Sequence, residues 1–570
     1  MFETSAGRPG MNRRTLLKLS LAFGATAGTQ LLAACSASAP ASAPAAAGTA
    51  AAPNAAPASA AKTLAGSGTG GTLIIAMTAG DVPSVDQNAT QGYEGRRFVT
   101  RQIYDALVDW GDLAQGEKLP ALVGGLAESF EQKPDDKSTW VFKLRKNVRF
   151  HDETPWNADA AIFGLDRVLN KSFQYYNQTV AAAFSRQARF IESYAKVDEL
   201  TITIKTRLPN YAVFPYDMRL LPMPGPTAVM RLGDKYAEAP VGTGPFRFGK
   251  LVPRQSLELV KNNDYWKGAP KLDRLILRPM ADPSTRLAAM LSREVNWAEV
   301  PPPDALPQLR SGNNQILLHD YPHVWPWILN AEKGPFSDKR VRQAVNWAID
   351  RDGMAGKLLN GVAKPAVGFV YPGHPTFGNI PSPYTRDLSK AKQLLTEAGK
   401  GSGFNMKLLT PTSGSGNMWP IEMNEFLQQN LREVGISVEI ATIDWNALTS
   451  AMSDGFRGQY ADFDANMSSL GAIDPTSWHN YFHSSSIAPV GFNRGRFTSA
   501  PLDALLDEVF TTADTAQQDR LLTKAHEMLV DESPWLWVVH DQNLRVVGPE
   551  VKGFVMPQAW VADLSTVWVG

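Results

Sequence analysis

The chain has 570 residues, with 56 Lys and Arg balanced by 56 Asp and Glu, and a single cysteine, Cys35. Nucleic-acid binders present concentrated positive charge, so this balance argues against that class. One thiol allows neither a disulfide nor a thiolate metal site.

The first segment reads as an export signal. Arg13-Arg14 and Lys18 precede a mildly apolar stretch, Leu19 to Leu31, and then Leu32-Ala33-Ala34-Cys35. Positive charge, a short apolar segment and small residues before a break are the parts of such a signal, and paired arginines suit the twin-arginine (Tat) route. Leu-Ala-Ala-Cys resembles the box at which bacterial lipoproteins are cleaved, so residues 1–35 are expected to be a lipoprotein signal with Cys35 lipidated. Lys18, Gly24, Gly28 and Gln30 make the stretch too polar and too short for a membrane span. Residues 1–34 carry Arg8, Arg13, Arg14 and Lys18 against Glu3, which leaves the mature body near −3.

Residues 36–70 are mostly Ala, Ser, Pro and Gly with almost nothing to bury, so a disordered tether is expected. Gly66, Gly68 and Gly71 spell G-x-G-x-x-G, but they precede a strand instead of following one and lack the context of a nucleotide loop. The remaining ~500 residues exceed what one core organises, so two or more lobes are expected.

Thr72–Met77 is a short apolar run that predicts a buried first strand. Trp140, Phe142 and Leu144 alternate with polar residues, as do Leu200, Ile202 and Ile204, which predicts half-buried strands. Between them, Ala161, Leu165 and Val168 keep helical spacing after Asn157, a residue suited to an N-cap. Leu257 and Leu259 alternate again, and 272–280 reads as a further strand.

From residue 336 the pattern becomes α/β. Val341, Ala344, Val345, Ala348 and Ile349 mark one helix face, and Ala391, Leu394, Leu395 and Ala398 another, with Gly399 as its stop. A strand at Met406–Thr410, a helix from about Ile421 to Gly435 and a strand at Ile436–Ile440 imply parallel pairing through a crossover. A helix over 516–530 and an apolar strand at Trp535–Val539 follow.

Five blocks carry a resemblance. They are the stretch 127–167 with Arg149-Phe150-His151-Asp152, Gly242–Phe246 with Asn262–Trp266, Asp338–Arg351, Ala391–Gly399 and Asp474-Pro475. In this order, across about 71–560, they resemble the extracellular solute-binding proteins of family 5, the peptide- and nickel-type binding proteins of ABC importers. The resemblance implies an α/β, two-lobed periplasmic-binding-protein fold of type II, with mixed sheets flanked by helices. It implies a first lobe at 71–325 with an inserted subdomain near 116–238, a second lobe at 326–534, and a return to the first lobe at 535–570. The crossings should fall at Trp325–Asn330 and Glu532–Trp537. Function would be capture of a small organic solute or short peptide in the cleft, and delivery to a membrane permease and its ATPase. A lipid-anchored monomer in the periplasm or cell envelope is expected, with no cofactor.

Trp325, Trp327, Asn330, Trp419 and Trp445 are expected near the crossings or the cleft, where aromatic walls stack on a solute. The loop Asn466–Asp474 adds Ser469, Gly471 and Asp474. Peptide-binding relatives place an aspartate three positions before the Asp of Asp-Pro, to hold the peptide ammonium; here that position is Gly471. Recognition of a free N-terminus by that route is therefore in doubt, unless Asp462 or Asp464 substitutes in a shifted loop. Asp474 is expected to cap the turn that follows it.

His479 and His483 stand four apart without the glutamate of H-E-x-x-H, so no metal is assigned to them. No nucleophile elbow or P-loop accompanies them, which disfavours an exported hydrolase. A sensor that passes its solute to a signalling protein remains the alternative to a receptor.

Overall fold

The computed structural model describes residues 70–87, 92–111, 113, 121–381, 383–414 and 416–570. The expected signal, Cys35 and the linker up to residue 69 lie outside these. Two large sheets organise the described chain.

In the first sheet the order is Gln315–Leu317, Arg545–Val547, Trp297–Glu299, Thr72–Met77, Arg274–Pro279, Ser256–Lys261 and Phe246–Val252. Thr72–Met77 sits in the middle, parallel to both neighbours, with Leu73 opposite Leu275 and Ile75 opposite Leu277. These side chains are fully buried, which explains why this strand reads as an apolar run instead of an alternation.

The second sheet runs Ala363–Pro365, Trp535–Asp541, His323–Leu329, Ala465–Met467, Phe404–Pro411 and Ile436–Ile443, with Leu470–Gly471 added beside His323–Leu329. Phe404–Pro411 and Ile436–Ile443 pair in parallel through the helix Pro420–Arg432, as their periodicity predicts. A separate four-stranded antiparallel sheet, Ala127–Gln132, Thr139–Leu144, Thr201–Thr206 and Ile191–Asp198, has its own core with the helices Ala158–Leu169 and Gln178–Ala188. Asn157 caps the first of these helices, its side chain accepting the Ala160 N–H.

The crossings differ from expectation. The chain leaves the first sheet after Leu317 and enters the second at His323; it leaves the second after Asp541 and re-enters the first at Arg545. Trp325–Asn330 and Glu532–Trp537 are therefore not crossings, and the return does not begin at 535. Trp535–Asp541 pairs with His323–Leu329 inside the second sheet, and every residue of both strands is buried. Two largely apolar runs find the most cover beside each other inside one sheet.

The motif blocks dock on one another. His151 donates its backbone N–H to Gly242 O, and its ring lies 3.0 Å from Gly244 O. A Cβ on Gly242 would stand 2.0 Å from the Ile103 carbonyl oxygen, so only glycine allows this approach.

A buried charge network crosses the first sheet. Glu299 bonds Arg97 at 2.7 Å and Arg545 at 3.0 Å, and also accepts the Trp297 indole N–H. Nearby Glu94 accepts the Thr78 N–H and hydroxyl. Burial and the Glu299 charge push Glu94 up to about 7, while Arg97 and Arg545 outweigh burial at Glu299 and hold it down. A carboxyl whose pKa is raised on folding keeps a proton that the unfolded chain has lost. Its contribution is thus complete below pH 4.5 and is lost as pH rises from 4.5 to 7. Glu94→Gln should flatten that slope, removing a fall on the order of 3 kcal/mol. Denaturation midpoints of both proteins from pH 4 to 8 check this, and parallel curves would refute it.

Candidate functional site

A cavity of about 270 Å³ opens on the first lobe and is closed on one side by Ile473, from the second lobe. Its floor holds Asp105, which accepts Thr243 Oγ1 at 2.9 Å, Tyr265 Oη at 3.0 Å and Trp266 Nε1 at 2.9 Å. Three donors from the two segments of one motif block thus fix one carboxylate. Beside it, Asp109 receives Arg101 Nη1 at 2.6 Å and Lys267 Nζ at 2.5 Å. Burial would push Asp109 up, but these two cations hold it well below the usual carboxylate range.

Trp110 and Arg219 line the cavity as well. The Arg219 guanidinium stacks over the Trp110 ring at 4.4 Å, and its Nη2 donates to Asp474 Oδ2 at 2.9 Å. Asp474 also caps the helix Pro475–Phe482, as expected: its Oδ1 accepts the Ser477 N–H and the Thr476 and Ser477 hydroxyls. One buried ion pair therefore ties Arg219, in the cavity lining, to the N-terminus of the helix Pro475–Phe482.

None of the eight residues expected at the cleft lines this cavity. Trp325 and Trp327 are fully buried in the core, their indole N–H groups donated to Asn417 O and Asn424 Oδ1. Asn330 is buried and holds the backbone of Phe463 and Asp464. Trp419 and Trp445 are buried, and their indole nitrogens lack a partner among the described residues. Ser469 meets Asn417, which also holds Trp325. Gly471 pairs with His323 in the second sheet, and Asp474 alone touches a cavity-lining residue, through Arg219.

The carboxylates that could have replaced one at Gly471 are engaged elsewhere: Asp462 binds Lys407 Nζ and Asp464 accepts the Lys407 N–H. Sequence reasoning missed Arg101, Asp105, Asp109, Trp110, Arg219 and Lys267. Only Asp105 left a signal, as the common partner that the Gly242–Phe246 and Asn262–Trp266 blocks require.

Among the described residues, one group could hold a metal: His479, His483 and Asp507, with ligand atoms within 4.8 Å of one another. The imidazoles stack at 4.0 Å. His483 Nδ1 accepts the Ser485 N–H at 2.9 Å, and His479 Nδ1 accepts Arg189 Nη2 at 3.3 Å. Each ring therefore carries its proton on Nε2, the nitrogen facing Asp507, where a metal would need a lone pair.

The comparisons with known proteins agree with this geometry. Haemophilus influenzae heme-binding protein A is 28% identical over 483 residues, 80% of this chain and 85% of that protein. The glutathione-binding protein GsiB of Escherichia coli K12 is 28% identical over 451 residues, covering 76% and 83%. Among solved structures, the Helicobacter pylori periplasmic binding protein DppA, with peptide STSA, has TM-score 0.76 and 25% identity, covering 88% of this chain and 98% of its own. A dipeptide-binding protein from Pseudoalteromonas, with Met-Leu, shares the two-lobed fold at TM-score 0.76 and 22% identity, covering 88% and 100%. The family model for the middle region of bacterial extracellular solute-binding proteins, family 5, matches residues 121–489, well over half of the chain, and the chain belongs to that family.

Proposed function

We propose that this protein captures a short peptide or similar small organic solute in the cavity between its lobes and hands it to the permease of an ABC importer. The carrying observation is the cavity itself, floored by fixed groups of the first lobe and closed by Ile473 and the Arg219–Asp474 pair from across the junction. The hinge would be the two connections 318–322 and 542–544. A ligand favours closure only through contacts that involve both lobes, and this cavity offers them. No chemistry is required of the site, and the protein acts as a monomer held to the membrane by a lipid on Cys35.

The lack of a carboxylate at Gly471 supports a solute that is not held by its ammonium. Calorimetry with Met-Leu and its N-acetylated twin tests this. Affinities within about threefold of each other are expected, since no charged hydrogen bond is lost. A loss of more than about tenfold on acetylation would establish an ammonium site and refute this part of the reading. Recovery of cleaved dipeptide after incubation would refute the receptor itself.

A further inference from the structure

We infer that the subdomain built on the four-stranded sheet is a latch on the second lobe, with Arg189 as its releasable catch, so that closure is set in part by contacts no solute touches. This rests on the lobe closure of the proposed function and names what sets its equilibrium. The subdomain is bolted to the first lobe. Its chain enters and leaves beside the bridge between Ala106 and Pro222. Arg167 donates to Asp86 at 2.8 and 3.0 Å and to Gln87 Oε1 at 2.8 Å. Rotation at 318–322 and 542–544 therefore carries the subdomain with the first lobe.

Its other contacts reach the second lobe. Arg189, which ends the helix Gln178–Ala188, donates through Nη2 to Ser486 Oγ at 3.0 Å and to His479 Nδ1 at 3.3 Å. Ala212 donates its backbone N–H to Phe510 O at 2.8 Å, and the Phe510 ring lies 5.0 Å from that of Tyr211. Phe510 belongs to the helix Ala500–Thr511, whose Leu502, Leu506 and Val509 pack in the second lobe, yet its own side chain is buried in the core of the subdomain. Opening the hinge has to withdraw that ring and break these bonds. Both acceptors of Arg189 are uncharged, a hydroxyl and an imidazole that burial keeps unprotonated. Release therefore strands no carboxylate on the second lobe, which makes the catch reversible where an ion pair would hold harder. Neither Arg189 nor its two partners line the cavity.

The test is pulsed electron resonance on the full chain carrying Cys35→Ser, with spin labels at Val197→Cys on the subdomain and Lys392→Cys on the second lobe, both exposed. Without solute, the protein with Arg189 intact should show mainly the shorter distance. Arg189→Met keeps the stem that lies against Phe190 and should raise the ratio of longer to shorter distance about fivefold or more, while Arg189→Lys should recover part of the shorter population. Thermal midpoints establish that each variant folds. Calorimetry with Met-Leu and its N-acetylated twin should show both weakened by one common factor, that by which the closed fraction falls. Equal distance distributions with and without Arg189, or a longer distance dominating the parent, overturn the latch and leave the receptor standing. A loss confined to one peptide also overturns it, since Arg189 would then be a solute contact. If neither peptide binds, the peptide reading fails and the solute-free distances alone decide the latch.

Discussion

Replacing Glu299 by Ala should lower stability by about 3–5 kcal/mol, because it strands two buried guanidinium groups. Arg97 and Arg545 are 1% and 0% exposed in their side chains and Glu299 is 4% exposed, so water cannot take over the lost partner. Arg97 Nε and Arg545 Nη2 already lack hydrogen bonds among the described residues. Burial pulls Arg545 down to about 10, with the Arg97 charge acting in the same direction and Glu299 opposing both. Removal of the carboxylate leaves the two cations facing each other in a low-dielectric interior. Glu299→Gln keeps an acceptor for the Trp297 indole and should recover part of the loss but not the charge term. Urea denaturation followed by tryptophan fluorescence reads both variants. A loss below about 1 kcal/mol for Glu299→Ala would mean the network is solvated and contributes little.

Trp327→Ala should cost a similar amount, about 3–5 kcal/mol, through the cavity it leaves. The indole is fully buried, packs in the core that joins helices and strands of the second sheet, and donates to Asn424 Oδ1 at 2.6 Å. Asn424 would lose that donor as well, although it keeps its bond to Thr410 Oγ1. Trp327→Phe separates the two contributions: it retains most of the ring and loses about 1 kcal/mol or slightly more for the hydrogen bond. The sequence expectation is different, a cleft-facing tryptophan whose loss weakens binding by about 1–3 kcal/mol and leaves the fold intact. Thermal midpoints and Met-Leu affinity of the folded fraction distinguish them. A variant as stable as the parent, but unable to bind, would return Trp327 to the site.

The difference between those two readings shows what sequence patterns carry. Phe404–Pro411, Pro420–Arg432 and Ile436–Ile443 were legible because a change of period from two to 3.6 and back marks each element and dictates parallel pairing. The central strands were legible as strands but not by place. His-Val-Trp-Pro-Trp-Ile-Leu and Trp-Leu-Trp-Val-Val contain no alternation, so nothing in them separates the middle of a sheet from a hinge. Tryptophans have the same ambiguity, since burial in a core and stacking in a cleft ask for the same ring. The cavity was the least legible part. Lys267 meets Asp109 across 158 positions, and Arg219 finds Asp474 across 255, with no local rhythm to announce either encounter. Asp474 as a helix cap follows from the residues beside it; its ion pair with Arg219 follows only from the fold.

The Asp105 anchorage bears on how such a receptor could change its preference. A carboxylate clasped by Thr243 and by the adjacent Tyr265 and Trp266 cannot be altered without loosening two distant stretches at once, so this part of the lining is closed to tinkering. Ile473, an aliphatic side chain in the same lining, has no hydrogen bond or charge to keep. Selection for a new cargo, in nature or in a library, should therefore change Ile473 before it changes Asp105.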